Sequence, residues 1–130
     1  MNTFTRKNDV SQYIKVTENA GWAEIRLNRP AKLNALRVDM CQEIADTAER
    51  LAQRPDIKCL VFSGEGPHFS AGYDVATEHA TSDPKDMWLS NRSVQTAFAR
   101  LNDLPVVTIC AMQGYVVGAG MLLATHMTCP

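Results

Sequence analysis

Val106-Val107-Thr108-Ile109-Cys110-Ala111, then Met112, then Gln113-Gly114-Tyr115-Val116-Val117-Gly118-Ala119-Gly120-Met121-Leu122, is the stretch that decides the fold. The first six residues form a short apolar run of strand length, and Pro105 stands just before it. Gln113 to Gly118 reads as a loop. Gly120 to His126 reads as the opening of an apolar helix. No Asp, Glu, Lys or Arg occurs from Leu104 to Pro130. A membrane helix needs about 20 predominantly apolar residues, but Pro105, Gln113, Gly114, Gly118, Gly120 and His126 interrupt this run. A buried strand, a loop and a helix are expected instead.

Working back along the chain, the same order recurs. Ile57 to Phe62 is an apolar run, and Gly64 to Asp74 is a loop with three glycines and Pro67. A helix is expected from Ser82-Asp83-Pro84 to Leu101, with a polar cap and Pro in its first turn. Upstream, Cys41, Ile44, Ala45, Ala48, Leu51 and Ala52 recur at helical spacing after about Arg37, and Pro55 marks the end. Ala31 to Leu36 connects this helix to Asn28-Arg29-Pro30. Trp22 to Leu27 alternates, with Ala23, Ile25 and Leu27 on one face. A strand around Tyr13, Ile14 and Val16 pairs with it through Glu18-Asn19-Ala20-Gly21 as a hairpin. Strand–helix–strand alternation predicts an α/β domain with parallel pairing.

Composition narrows the class. The chain has 130 residues, 45% hydrophobic and 21% charged, with thirteen basic and fourteen acidic residues and a formal net charge of -1. That fits one globular domain and lacks the basic footprint of a nucleic-acid binder. Met1 to Val10 has no apolar core of a secretory leader. Cys41, Cys59, Cys110 and Cys129 form no C-x-x-C pair, and three lie in apolar runs or on an apolar helix face. A cytoplasmic location with reduced thiols is expected. His68, His79 and His126 have no ligand-like spacing with the cysteines, so no metal site is expected.

Two segments carry chemistry: His68-Phe69-Ser70-Ala71-Gly72-Tyr73-Asp74, and Gln113 to Leu122. Each follows a predicted strand, where ligands of α/β sheets bind. One backbone N–H from each loop could converge on a carbonyl oxygen that becomes negative during reaction, forming an oxyanion hole. A helix beginning near Ala119 would add its N-terminal dipole. The alternative is that the glycines only turn the chain after strands. Gly-x-Ser-x-Gly is not met around Ser70, because His68 stands where the first glycine belongs. No spacing supports a triad of Ser70, His126 and Asp74. Gly114 to Gly120 does not have the spacing of a dinucleotide fingerprint. Asp74 is expected to be a helix cap or a loop tether. Trp22, Tyr73, Trp88 and Phe98 are expected in core or interface.

Asn28-Arg29-Pro30 with Leu33-Asn34-Ala35-Leu36, then Phe69-Ser70-Ala71-Gly72-Tyr73-Asp74, then Gln113-Gly114 with Gly118-Ala119-Gly120, resemble the crotonase (enoyl-CoA hydratase/isomerase) superfamily. The resemblance runs from about Tyr13 to the chain end. It implies a crotonase-like (ClpP/crotonase) spiral of ββα units, cut off after the second oxyanion loop. Residues 1–12 would be a tail, and residues 13–130 an acyl-CoA-binding domain incomplete at its C-terminus. It further implies a lyase or isomerase of fatty acid metabolism with no separate cofactor, since coenzyme A arrives as part of the substrate. The oxyanion donors would be the N–H groups of Tyr73 and Ala119. Ala31, Lys32 and Leu33, with Ala71, Gly72 and Gly118, would hold the CoA portion. Lys32 either meets a CoA phosphate or is a solvated surface lysine. The implied assembly is a homo-oligomer, a trimer or hexamer when complete, with no nucleic acid or membrane as partner.

The family's hydratases carry a glutamate at the position of Leu122, and a second beyond Pro130. Leucine transfers no proton, which argues against a standard hydratase. Two readings remain: an acyl-CoA enzyme, or a truncated or degenerate chain that binds or associates without catalysis. The uncovered apolar segment favours the second for the isolated chain, which is expected to be oligomeric or prone to aggregate.

Overall fold

Alternation along Trp22-Ala23-Glu24-Ile25-Arg26-Leu27 builds the central strand. Ala23, Ile25 and Leu27 are fully buried on one face. Glu24 and Arg26 pair with each other at 3.0 Å on the other. A computed structural model describes residues 11–78 and 83–128. Strand β1 (Ile14–Asn19) runs antiparallel to β2 (Trp22–Leu27), with Ile14 opposite Leu27 and Asn19 opposite Trp22. Strands β3 (Cys59–Gly64) and β4 (Val107–Cys110) continue the sheet in parallel, in the order β1-β2-β3-β4.

Parallel neighbours need crossovers, and helices supply them. Helix α1 (Val38–Ala52) joins β2 to β3. Met40, Cys41, Ile44, Ala45, Ala48, Leu51 and Ala52 form its buried stripe. Between β3 and β4 lie α2 (Val75–Glu78) and α3 (Pro84–Ala99). Asp83 caps α3 by accepting from the Lys85 N–H at 2.9 Å, and Pro84 occupies the first helical position. Helix α4 (Ala119–Thr125) follows β4. Leu60 and Phe62 of β3, Phe98 of α3 and Leu123 of α4 complete the core. Thr128 returns to the sheet, its N–H donating to the Thr108 hydroxyl at 2.8 Å.

Several boundaries differ from expectation. Strand β3 begins at Cys59 rather than Ile57 and extends to Gly64. Ile57 is buried, but its N–H closes a turn onto the Arg54 carbonyl at 3.2 Å, so its apolar character serves the core without strand geometry. Helix α3 stops at Ala99, and a 3₁₀ turn, Arg100–Asp103, replaces its expected end. Leu104, before Pro105, is extended (φ -68°, ψ 135°), as the residue before proline prefers. The connection from Ala31 to Leu36 contains a 3₁₀ turn, Pro30–Lys32, followed by two left-handed residues, Leu33 (φ 55°) and Asn34 (φ 54°). The readings placed on Met1 to Val10, His79, Ser82, Cys129 and Pro130 lie outside the described residues. No described helix is long and apolar enough to cross a membrane.

Candidate functional site

The first loop leaves the carboxyl end of β3 and is held by buried polar groups. Asn34 is fully buried. Its Oδ1 accepts from the Arg29 N–H at 2.8 Å, and its Nδ2 donates to the carbonyls of Glu65 (3.0 Å) and His68 (2.9 Å). The Ser70 hydroxyl donates to the Asn34 carbonyl at 2.9 Å and accepts from the Gly72 N–H at 3.1 Å. Ser70 is therefore a loop brace. His126 lies against Asn102 at 3.1 Å, so Ser70 and His126 form no catalytic pair. The Leu36 N–H donates to the Gly72 carbonyl (2.8 Å), and the Asp74 N–H to the Leu36 carbonyl (2.9 Å). Arg29 reaches the Asp74 carboxylate at 3.1 Å and the Ala35 carbonyl at 2.6 Å. The contact with Arg29 makes Asp74 a loop tether, one of the two roles expected for it.

The second loop is laid against the first. The N–H groups of Phe69 and Ser70 donate to the carbonyls of Gln113 (2.8 Å) and Tyr115 (3.0 Å), and the Val117 N–H returns to the Ser70 carbonyl (3.1 Å). The Gln113 amide spans the carbonyls of Gly64 (2.8 Å) and Gly66 (3.0 Å). The Tyr115 N–H donates to His68 Nδ1 at 3.0 Å, so a neutral His68 carries its proton on Nε2. The His68 and Tyr115 rings stack at 4.0 Å.

Glycine is required where the loops meet. Gly72 has φ +103°, and a Cβ there would stand 2.8 Å from the Val117 carbonyl oxygen and 3.6 Å from the Ala119 nitrogen. Gly118, before the first residue of α4, has φ 55° and ψ -119°, a conformation an L side chain resists. At Gly72, backbone thus approaches backbone.

A cleft of about 230 Å³ opens at this junction. Tyr73, Gly118, Ala119 and Leu122 line one wall, and Asn91, Val94 and Gln95 of α3 the other. Ala119 is the first residue of α4, where an N–H has no acceptor within its own helix. The structure therefore gathers three predicted residues, Tyr73, Gly118 and Ala119, with Gly72 in contact beside them. Ala71 is joined to Leu33 through its N–H and the Leu33 carbonyl (3.0 Å). Ala31, Lys32 and Leu33 are exposed on and after the 3₁₀ turn and do not line the cleft. Asn91 and Gln95 were not foreseen: two amides on a helix carry no motif until the helix is docked. The packing and tether roles of Asn34 and Arg29 were also unassigned.

Among the described residues, charge stays off the cleft wall. Glu65, at the start of the first loop, is held below its usual carboxyl range by hydrogen bonds from Arg26 (3.3 Å) and Lys15 (3.4 Å). Burial pushes the Cys110 thiol at the end of β4 up to about 11. Among the described residues, no group of three or more His, Cys, Asp and Glu side chains is arranged to hold a metal ion.

The family profile of enoyl-CoA hydratase/isomerase matches residues 17–129. The 1,2-epoxyphenylacetyl-CoA isomerase of Escherichia coli K12 is 33% identical over 107 residues, covering 80% of this chain and 41% of that protein. The ethylmalonyl-CoA decarboxylase of Xenopus laevis is 31% identical over 105 residues, covering 81% and 35%. A crystal structure of an enoyl-CoA hydratase from Shewanella pealeana superposes with a TM-score of 0.86 at 26% identity, covering 97% of this chain and 49% of that one. The chain thus spans less than half the length of these relatives.

Proposed function

The chain belongs to the enoyl-CoA hydratase/isomerase family, and from that premise we propose that it binds an acyl-CoA thioester and stabilises the enolate through the N–H groups of Tyr73 and Ala119. One observation carries the reading: the backbone approach of Gly72 to Val117 and Ala119, at a cleft lined by Tyr73, Gly118 and Ala119. Transfer of a proton from the carbon beside the thioester to solvent leaves the C–H electron pair to move onto the carbonyl oxygen. Two fixed N–H donors stabilise that charge more than they stabilise the neutral carbonyl, which is what lowers the barrier. Side-chain identity at positions 73 and 119 does not enter.

The CoA portion lies, on this reading, along Ala31, Lys32 and Leu33, with Ala71, Gly72 and Gly118 beneath it. The hydrogen bond from Ala71 to Leu33 supports that continuity, and Lys32 is exposed where a phosphate can reach it as a point charge. Leu122 half-buries its side chain in the cleft wall, where an acid would be needed for water addition. The proposed chemistry is therefore an isomerase-type or other enolate reaction. Assembly as a homo-oligomer is supported by exposed Trp88, Leu89, Val107, Met112, Val117 and Met121.

A second reading, binding without turnover, is favoured by one fact. Among the described residues, the cleft lining contains no carboxylate, imidazole, amine or thiol to move a proton. Deuterium exchange at the carbon beside the thioester of butyryl-CoA, followed by NMR, separates the two. Exchange above the solvent rate is expected. A melting temperature raised by acyl-CoA without exchange would leave only the binding reading. No melting shift at saturating ligand would remove both. Crotonyl-CoA hydration is expected to stay at background.

A further inference from the structure

Arg29 and Asp74 form a largely buried ion pair, with side chains only 15% and 11% exposed. One terminal nitrogen of Arg29 donates to the Asp74 carboxylate at 3.1 Å, and the other donates to the Ala35 carbonyl at 2.6 Å. From Ala35 the bonding continues in one direction. The Ala35 carbonyl shares its peptide unit with the Leu36 N–H, which donates to the Gly72 carbonyl at 2.8 Å. The Gly72 carbonyl shares its own peptide unit with the Tyr73 N–H. In a trans peptide the N–H and C=O point in opposite directions, so the Tyr73 N–H faces away from Leu36. The Asp74 N–H donates back to the Leu36 carbonyl at 2.9 Å and completes the parallel bridge of Leu36 with Tyr73. A cation thus stands at one end of a row of two peptide units, and the first proposed donor stands at the other.

We infer that Arg29 is a positioning residue for the Tyr73 N–H: through the peptide units 35–36 and 72–73 it aims that donor and polarises it toward the thioester oxygen. This rests on the enolate reading above and adds to it a residue that lies off the cleft lining. Hydrogen bonds in series strengthen one another, by about 10–30% per bond. A charged donor at the head of the row draws electron density onto the Ala35 oxygen and leaves the Leu36 N–H more positive. The Leu36 N–H does the same to Gly72, and so to the Tyr73 N–H. Low exposure limits the screening of this charge by water. The Asp74 carboxylate holds the planar fork in place, a task for which a lysine ammonium is poorly shaped.

The test is difference infrared spectroscopy of butyryl-CoA, isotopically labelled at the thioester carbonyl and bound at saturation so that affinity does not enter. A carbonyl that accepts stronger hydrogen bonds absorbs at lower frequency, with or without turnover. The parent chain is expected to lower the band from its position in buffer. In Arg29→Gln, which removes the charge, part of that lowering is expected to be lost. Arg29→Lys restores a cation without the fork, and its band is expected between those of Arg29→Gln and the parent. Arg54→Gln removes a fork between Glu18 and Asp56 at the other end of the sheet, and is expected to leave the band where the parent has it. Circular dichroism checks the fold of each variant, and if Arg29→Gln does not fold, Arg29→Lys decides. A folded Arg29 variant whose band matches the parent, or an equal displacement in Arg54→Gln, overturns this inference and leaves the donor reading standing. A parent chain that fails to lower the band, or to bind the thioester, overturns the enolate reading and this inference with it.

Discussion

Alanine at position 72 would set a Cβ 2.8 Å from the Val117 carbonyl oxygen, in a backbone with φ +103°. Two costs follow and can be separated. The left-handed backbone alone costs an L residue about 1–2 kcal/mol. The contact must also open by about 0.6 Å to reach ordinary van der Waals separation, an overpacking cost of about 1–3 kcal/mol. Gly21, in the β1-β2 turn, has φ +86° and nothing within 4 Å of its Cβ position. Gly21→Ala therefore carries only the first cost. Urea unfolding is expected to show a loss of about 1–2 kcal/mol for Gly21→Ala and about 2–5 kcal/mol for Gly72→Ala. The opening also parts the two proposed donors. Because a misplacement of about 1 Å can cost a hundredfold in rate, a shift of this size should slow deuterium exchange in butyryl-CoA by about tenfold. Gly21→Ala should leave exchange unchanged. If Gly72→Ala were no more destabilising than Gly21→Ala, the two loops would not be in backbone contact, and the geometry assigned to the site would fail.

Asn34→Ala removes three hydrogen bonds and strands the Arg29 N–H and the carbonyls of Glu65 and His68 inside the protein. A loss of about 2–5 kcal/mol in urea unfolding is expected; a loss under about 0.5 kcal/mol would remove Asn34 from the role of loop brace. Cys110, with its thiol raised by burial to about 11, is expected to resist iodoacetamide at pH 8 while half-buried Cys59 reacts before it. The sign for stability follows from proton binding. Above the ordinary thiol range of about 8.5 the unfolded chain sheds this proton and the folded one keeps it, so Cys110 favours unfolding progressively as pH rises toward 11. A melting temperature that falls less steeply over that range in Cys110→Ala than in the parent chain is the expected result, and identical slopes would contradict it.

What the sequence disclosed depended on how local the cause was. Strand β2 was legible because one buried face forces a two-residue period, and Ala23, Ile25 and Leu27 obey it. Both loops were legible because Gly72 and Gly118 hold conformations that other residues resist, so the chain must spend glycine there. Ile57 misled, because an apolar side chain reports burial and not backbone hydrogen bonding. The end of α3 was misplaced because the 3₁₀ turn at Arg100 keeps Leu101 in the core much as an α-helical turn would. Asn34 gave no hint of its carbonyl partners at Glu65 and His68, which lie 31 and 34 residues away. Asn91 and Gln95 became visible only when α3 was docked on the cleft.

The hydrogen bonds that lay the second loop on the first have a consequence for how the chain folds. Phe69 and Ser70 reach partners at Gln113, Tyr115 and Val117, roughly 45 residues later, after α2, α3 and β4 have intervened. Contacts of such long range are made late, since the chain must first meet the entropy of closing that loop. Neither loop has its final shape alone. The hairpin of β1 and β2 and helix α1 are built from near neighbours and can form before the ribosome has released Gln113. The cleft cannot. The amides of Phe69, Ser70 and Val117, which join the two loops, should therefore gain protection from solvent exchange together, in one late step, so that the cleft forms with completion of the sheet and never ahead of it.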